Sequence, residues 1–285
     1  MARNSVIAGR DISEAALIGY GGFKTAQLAQ LTLSPLRPNG IGSEPCQDII
    51  VKRFYIPSKK ADQLPAVNDP KDDPKRSLAK RFPRLSVPDE LEKLYREANI
   101  LYWAKSLLQL TYDFIDRAIS KAATLPPFDI PRLCFIDAGL LLAVKPNENN
   151  AKSSGTANVQ TPYLAEELIP NSKSFMKYVH NSEPYPLPEP DEPGYDLAQF
   201  LCFTQHIQYV KTGGLAYITD YQGSGALLTD PQILTHPSVN AGKDLFGEGN
   251  LVIGVKLFAR EHICNAFCRW PGFKLDPPAS VDIDF

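Results

Sequence analysis

The side chains best suited to chemistry crowd into the last third of this chain. Asp220, Gln222 and Asp230 place three oxygen-bearing groups in one short stretch, with Gly223-Ser224-Gly225 between them. Such donors suit magnesium, a hard cation that takes carboxylate and amide oxygens and keeps several waters. Phosphoryl transfer needs a metal site of this kind, a cation on the phosphates and a group that orients the attacking hydroxyl. Leu215 to Thr219 is apolar and reads as a strand leading into Asp220, which puts Asp220 and Gln222 on the same side of it. The glycines let the chain reverse and return Asp230 to the same place. The same residues also describe a plain hairpin whose acids are solvated turn formers.

A second cluster is His262, Cys264 and Cys268. Thiolate and imidazole donors at this spacing suit tetrahedral zinc, and a fourth ligand would come from His180, His206 or His236. A site closed by four protein ligands is structural, since no position stays open for a substrate. It would tie the last helix to the body of the chain, so that metal removal destabilises this part. The alternative is two buried thiols beside a surface histidine. In the N-terminal part, Gly21-Gly22 reads as a turn between two short strands, followed by Lys24. Asp48 to Tyr55 is β-rich, with Ile50 and Lys52 on one face and Val51 and Arg53 on the other. A lysine on a strand after a glycine turn can contact nucleotide phosphates; the alternative is an edge-strand surface lysine. Gly-Lys-Ser/Thr is missing, so this is not a Walker A loop.

The elements that position these residues follow from pattern. Pro57 to Pro88 is rich in Pro, Asp and Lys and reads as a long mobile insertion. A helix is expected from Pro88, capped by Asp89 with Glu92 three residues on. Its apolar positions are Leu91, Leu94, Tyr95, Ala98, Leu101 and Tyr102, and it continues to Ile119, with room for a break. Leu133 to Val144 carries two short strands, Glu148 to Thr161 a polar loop, and Tyr163 to Ile169 a strand interrupted by Glu166 and Glu167. Ser172 to His180 reads as a short helix, Glu183 to Pro193 as irregular, and Tyr195 to Val210 as a helix.

Composition sets the class. With 285 residues, 44% hydrophobic and 22% charged, the chain can build one large domain or two closely packed lobes. A net charge of −2 gives no global field toward nucleic acid or an anionic membrane. No basic, aromatic-studded stripe is present, which argues against a zinc module that contacts nucleic acid. Met1 to Ser5 lacks the apolar core of a signal peptide. The longest apolar run, Leu140 to Val144, falls far short of the roughly 20 residues of a membrane span. A soluble, cytoplasmic protein is expected. Five cysteines, an odd number, argue against a disulfide framework, and Cys46, Cys134 and Cys202 read as ordinary small apolar residues.

Taken in order, His206, a strand, Asp220-Tyr221-Gln222-Gly223, Thr229-Asp230-Pro231, Phe246-Gly247-Glu248-Gly249-Asn250 and His262-x-Cys264-Asn265-x-x-Cys268 resemble the alpha-kinase family. These are atypical protein kinases such as myosin heavy chain kinases and channel-fused kinases. The resemblance runs from about Gly19 to Trp270 and is strongest from Tyr195 to Cys268.

It implies an α+β, two-lobed, protein-kinase-like fold with a structural zinc in the C-terminal lobe. The expected arrangement is a single kinase domain over 1–285. Its N-terminal lobe is about 1–165, its hinge about 165–171 and its C-terminal lobe about 172–285. ATP with magnesium is expected between the lobes. By resemblance His206 becomes the fourth zinc ligand beside His262, Cys264 and Cys268. Asp220 acts on the substrate hydroxyl, Gln222 and Asp230 hold magnesium, and Lys52 holds the phosphates with Lys24, Gly21 and Gly22. Glu166 and Ile169 take the adenine, and Glu97 is a possible partner of Lys52. Gly247, Gly249 and Asn250 line the substrate cleft. The implied activity is transfer of the γ-phosphoryl group to Ser or Thr of a protein. Val252 stands where the family often has Gly, which leaves a pseudokinase scaffold as the alternative. Tyr221 replaces a usual aliphatic residue and is expected to point away from the site.

Overall fold

Thr25, Gln27, Ala29 and Leu31 are buried while the residues between them are not. That period of two is what a strand with one covered face requires. It runs through a computed structural model that describes residues 4–8, 17–57, 81–145, 159–170, 174–240, 245–247 and 249–281. The described residues group into two compact units, Met1–Ala98 with Asp137–Leu168, and Asn99–Ile136 with Ile169–Phe285. The division therefore differs from a single cut near residue 165: Asn99–Ile136 belongs with the second unit.

The first unit is built on one antiparallel sheet. Its strands are β1 (Asn4–Ala8), β2 (Leu17–Tyr20), β3 (Lys24–Ser34), β4 (Gln47–Phe54), β6 (Ala138–Lys145) and β7 (Val159–Glu167), β5 lying in the second unit. The order is β1-β3-β4-β7-β6, with β2 also on β3. Ala29, Leu31, Ile49, Val51, Tyr163 and Ala165 form its core. The glycine turn after β2 is as expected. Strand β7 begins at Val159, inside the stretch read as a polar loop, whose residues 148–158 lie outside the description.

Helix α1 (Val87–Lys121) is unbroken over 35 residues, and its first twelve residues belong to the first unit. Its cap is Ser86 rather than Asp89. The Ser86 hydroxyl accepts from Asp89 N–H and donates to the Asp89 carboxylate at 2.6 Å. The buried stripe is Leu94, Leu101 and Leu108 with Ala104 and Ile115. Leu91, Tyr95 and Tyr102, read from sequence as part of it, are exposed. Residues 58–80 of the expected insertion lie outside the description, but its end is not loose. Phe82 is 1% exposed and packs its ring edge-on to Tyr55 at 5.0 Å. Arg84 donates to the carbonyl of Phe54.

The second unit mixes short strands and helices. Strands β5 (Cys134–Phe135), β8 (Met176–Lys177), β10 (Gln222–Ser224) and β11 (Leu227–Thr229) form a sheet ordered β5-β11-β10-β8. Strand β9 (Ala216–Thr219) pairs with β12 (Gln232–Thr235). Residues 174–180 hold β8, not the helix expected there. Helix α2 (Tyr195–Lys211) is the unit's centre, buried continuously from Phe200 to Tyr209. Helices α3 (Pro237–Asn240), α4 (Val252–Glu261) and α5 (Ala266–Arg269) follow. Phe200, Phe203, Phe267 and Phe273 pack ring on ring between them. No helix among the described residues is long and apolar enough to cross a membrane. Phe82→Ala is expected to cost about 3–5 kcal/mol in a urea melt, as for a core aromatic, against almost nothing if residues 81–88 are loose.

Candidate functional site

In the first unit, antiparallel pairing of β4 and β7 sets Ile50 opposite Glu166 and Lys52 opposite Leu164. Lys52 and Glu166 are then diagonal neighbours on one face of the sheet. Both are buried, and Lys52 Nζ lies 2.7 Å from Glu166 Oε2. Lys24 pairs at 2.6 Å with Glu97 of α1, which was expected beside Lys52. The turn before β3 is closed by Gly21 N–H on the carbonyl of Lys24, and the Tyr55 hydroxyl donates to the Gly21 carbonyl. A Cβ on Gly21 or Gly22 would meet nothing within 4 Å, and neither has a positive φ. Their lack of side chains is therefore not demanded by the protein's own packing.

In the second unit, three helices converge on one group of side chains that could hold a metal ion. His206 comes from α2, His262 ends α4, Cys264 follows it and Cys268 lies in α5. Their ligand atoms all lie within 4.8 Å of one another. Cys264 Sγ is 3.7 Å from His206 Nδ1, and Cys268 Sγ is 3.6 Å from His262 Nε2. A tetrahedron with metal–sulfur about 2.3 Å and metal–nitrogen about 2.0 Å has sulfur–nitrogen edges near 3.5 Å, so this donor set fits zinc. The other expected candidates lie elsewhere: His180 Nδ1 faces Ser182 and His236 Nδ1 faces Ser238.

The imidazoles are poised as neutral donors. Burial lowers the pKa of His206, and its Nε2–H donates to the carbonyl of Asp276 at 2.9 Å. A carbonyl only accepts, so Nδ1 carries the lone pair turned toward Cys264. Burial and the neighbouring His206 lower His262 to about 3, the Pro184 carbonyl working the other way. Burial and Cys264 push Cys268 up to about 12, so a cation bound in the proton's place would favour its thiolate.

The candidate acidic residues sit around a hairpin. Strand β9 stops at Thr219, and Asp220 takes a left-handed φ of 57°. Asp220 and Gln222 are thus not two positions of one strand, as alternation predicted; the left-handed residue separates two different sheets. Tyr221 points into the core, as a position aimed away from the acids should. It is fully buried, bonded to Thr204 and Gln208, and stacked on Phe135. Strands β10 and β11 pair with Gln222 opposite Thr229. Gly223 is obligatory there, because a Cβ would lie 2.0 Å from the Leu227 carbonyl oxygen. The hairpin returns Asp230 beside Gln222, whose amide nitrogen donates to the Asp230 carbonyl at 3.3 Å. Asp230 is also left-handed, at φ 45°.

Asp220 is not the solvated turn former of the plain hairpin. It is 9% exposed, and its carboxylate pairs with Lys177. Lys177 was missed in sequence. It lies on β8 directly opposite Gln222. Phe175-Met176-Lys177-Tyr178-Val179 shows no period of two that could have signalled it, and β8 is only two residues long.

Gly249 and Asn250 are less free to bind a substrate than their motif suggests, whereas a Cβ on Gly247 would meet nothing within 4 Å; Glu248 lies outside the described residues. The Asn250 side chain accepts from Thr235 N–H at 2.9 Å and donates to Thr235 Oγ1 at 2.7 Å. A Cβ on Gly249 would lie 2.4 Å from the Gln232 side chain. Val252 opens α4 and packs against the Tyr209, Tyr217 and Phe258 cluster. Ile169 follows β7 outside any strand, half-buried. Asn250→Ala is expected to destabilise the second unit by about 1–3 kcal/mol in a urea melt, because buried Thr235 N–H loses its acceptor. An unchanged midpoint would contradict this bond.

Comparison with known proteins gives three findings. A sequence model described as the alpha-kinase family matches residues 23–268. Eukaryotic elongation factor 2 kinase of Homo sapiens is 42% identical over 76 residues, 25% of this chain and 10% of that protein. Alpha-protein kinase 1 of Dictyostelium discoideum is 41% identical over 68 residues, 24% of this chain and 5% of that protein. The matched stretches thus span a tenth or less of those proteins' own length. The alpha-kinase domain of Myosin-II Heavy Chain Kinase A in complex with AMP-PNP has a TM-score of 0.54 at 17% identity, over 98% of this chain and 90% of that one. Its apoenzyme gives 0.51 at 16% identity over 97% and 90%. At that identity the likeness concerns the fold, which is α+β and kinase-like.

Proposed function

The chain belongs to the alpha-kinase family, and from that premise we propose that it is an ATP-dependent protein kinase that phosphorylates Ser and Thr hydroxyls. The observation that carries this reading is the β10–β11 hairpin. It keeps Asp220 against Lys177 and returns Asp230 to Gln222. Asp220 orients the substrate hydroxyl and accepts its proton. The hydroxyl oxygen bonds to the γ-phosphorus as the bond from that phosphorus to the β–γ bridging oxygen breaks, and ADP leaves. Lys177 neutralises charge beside Asp220.

Gln222 and Asp230 offer the oxygen donors that magnesium takes. That ion, when bound, would neutralise phosphate charge. In the first unit, Lys52 is oriented by Glu166 and contacts phosphate oxygens. Gly21 and Gly22 leave open space in which phosphates can approach the backbone. Glu166 and Ile169 stay assigned to the adenine. The zinc reading rests on the fit of His206, His262, Cys264 and Cys268, a closed structural site that clamps α2, α4 and α5. Val252 is accounted for by packing at the start of α4, so it gives the scaffold alternative no particular support.

Asp220→Asn keeps the left-handed backbone, which Asn tolerates. It should lower transfer of radiolabelled phosphate to a basic protein, or to the chain itself, by about 10²–10⁴-fold. Full transfer by this variant would end the assignment. Phosphoamino-acid analysis should find label on Ser or Thr. Purified protein should contain one zinc per chain by atomic emission. Stripping it should lower the melting temperature of the second unit, whereas metal-free protein that melts normally would refute the zinc site.

A further inference from the structure

We propose that residues 274–281 form a strap that closes the four-residue metal group and sets how fast its metal exchanges; this rests on the zinc reading above. Four observations support it. First, His206 gives its Nε2–H to the main-chain carbonyl of Asp276 at 2.9 Å. An acceptor of this kind fixes the ring and tautomer of a metal-ligating histidine, and losing it typically weakens a metal site about 10–100-fold. Second, one turn along α2 the Tyr209 hydroxyl donates to the carbonyl of Ala279, also at 2.9 Å. His206 and Tyr209 are three apart on one helix face, and Asp276 and Ala279 are three apart in the strap. The two bonds are therefore rungs in register.

Third, Val281 anchors the far end. It packs on the Tyr209, Tyr217 and Phe258 cluster. It sits where Gly214 has no side chain: a Cβ there would lie 2.3 Å from Val281 Cγ1. Fourth, a cavity of about 310 Å³ has His206, Cys264 and Cys268 in its wall on the side of the metal group, and Lys274, Leu275 and Pro277 from the strap. The strap thus borders the open approach to the ligands instead of packing solidly on them. Lys274, left-handed at φ 47°, turns the chain out of the preceding 3₁₀ turn (Pro271–Phe273) and into the strap.

Both rungs end on main-chain carbonyls, so side-chain identity at Asp276 and Ala279 should be immaterial, whereas Tyr209 and Val281 should matter. The test is the rate at which the zinc-loaded full chain gives up zinc to 4-(2-pyridylazo)resorcinol, well below its melting temperature. Tyr209→Phe combined with Val281→Ala should release zinc about ten-fold faster than the unaltered chain. Asp276→Ala should release it at the unaltered rate. Leu108→Ala, a substitution of a buried α1 residue outside the strap, controls for general loss of stability and should also leave the rate unchanged. A double variant that releases zinc at the unaltered rate overturns the strap, as does a Leu108→Ala control that releases it equally fast. An unaltered chain that holds no zinc overturns the metal reading and the strap together, which separates the two failures.

Discussion

Backbone handedness at two aspartates is the constraint on which the second unit's acidic site depends. Asp220 and Asp230 are left-handed without being glycine, and Asp is one of the few side chains that accepts that region at modest cost. Between them lies the β10–β11 hairpin. The reversal at Asp220 ends one sheet and starts another, so Tyr221 drops into the core while Gln222 joins β8 and β11. A β-branched residue at either aspartate would oppose that turn. Strain of this kind persists where surrounding contacts over-determine it, and functional sites are where it collects. Here the contacts are the buried Tyr221 hydroxyl on Thr204 and Gln208 and the close approach of Gly223 to the Leu227 carbonyl.

Helix α2 links that hairpin to the metal group. Gln205 donates to the carbonyl of Ile218, and Gln208 accepts from Ile218 N–H, so β9 is hydrogen-bonded to the helix just before Asp220. Thr204 and Gln208 hold Tyr221, and Gln208 reaches Thr111 of α1. His206, between Gln205 and Ile207, turns to the metal group, and Tyr209 turns to the strap. One helix therefore carries polar side chains in several directions, nearly all buried and matched to partners. Unmatched, each would cost about 1–3 kcal/mol. The His/Cys group and the strand leading into Asp220 are thus built onto the same stretch of one helix, Thr204 to Tyr209.

The order of residue types was more legible in the sequence than the elements that carry them. The ordered residues His206, Asp220 to Gly223, Thr229 to Pro231 and His262 to Cys268 were readable because zinc, magnesium and tight turns each demand particular residue types. The grouping of His206 with the later cluster came from that order, since spacing alone left His180 and His236 equal to it. Lys177 escaped because a two-residue strand has too little period to outvote a helical reading. The cap was read as Asp89, and the hydrogen bond from Asp89 N–H to the Ser86 hydroxyl gives it to Ser86. The exposed Tyr95 and Tyr102 show that an apolar residue at helical spacing need not face the core. Phe82 was swept into a polar stretch although a lone aromatic there had a core to join.

Asp230 is proposed to hold a metal ion for a nucleotide. Calorimetric titration of ATP into the full chain, with and without magnesium, is the decisive experiment. Magnesium should tighten ATP binding to the unaltered chain by about ten-fold or more, equal to about 1.4 kcal/mol, and Asp230→Asn should abolish most of that gain. The same magnesium dependence in both proteins would contradict it.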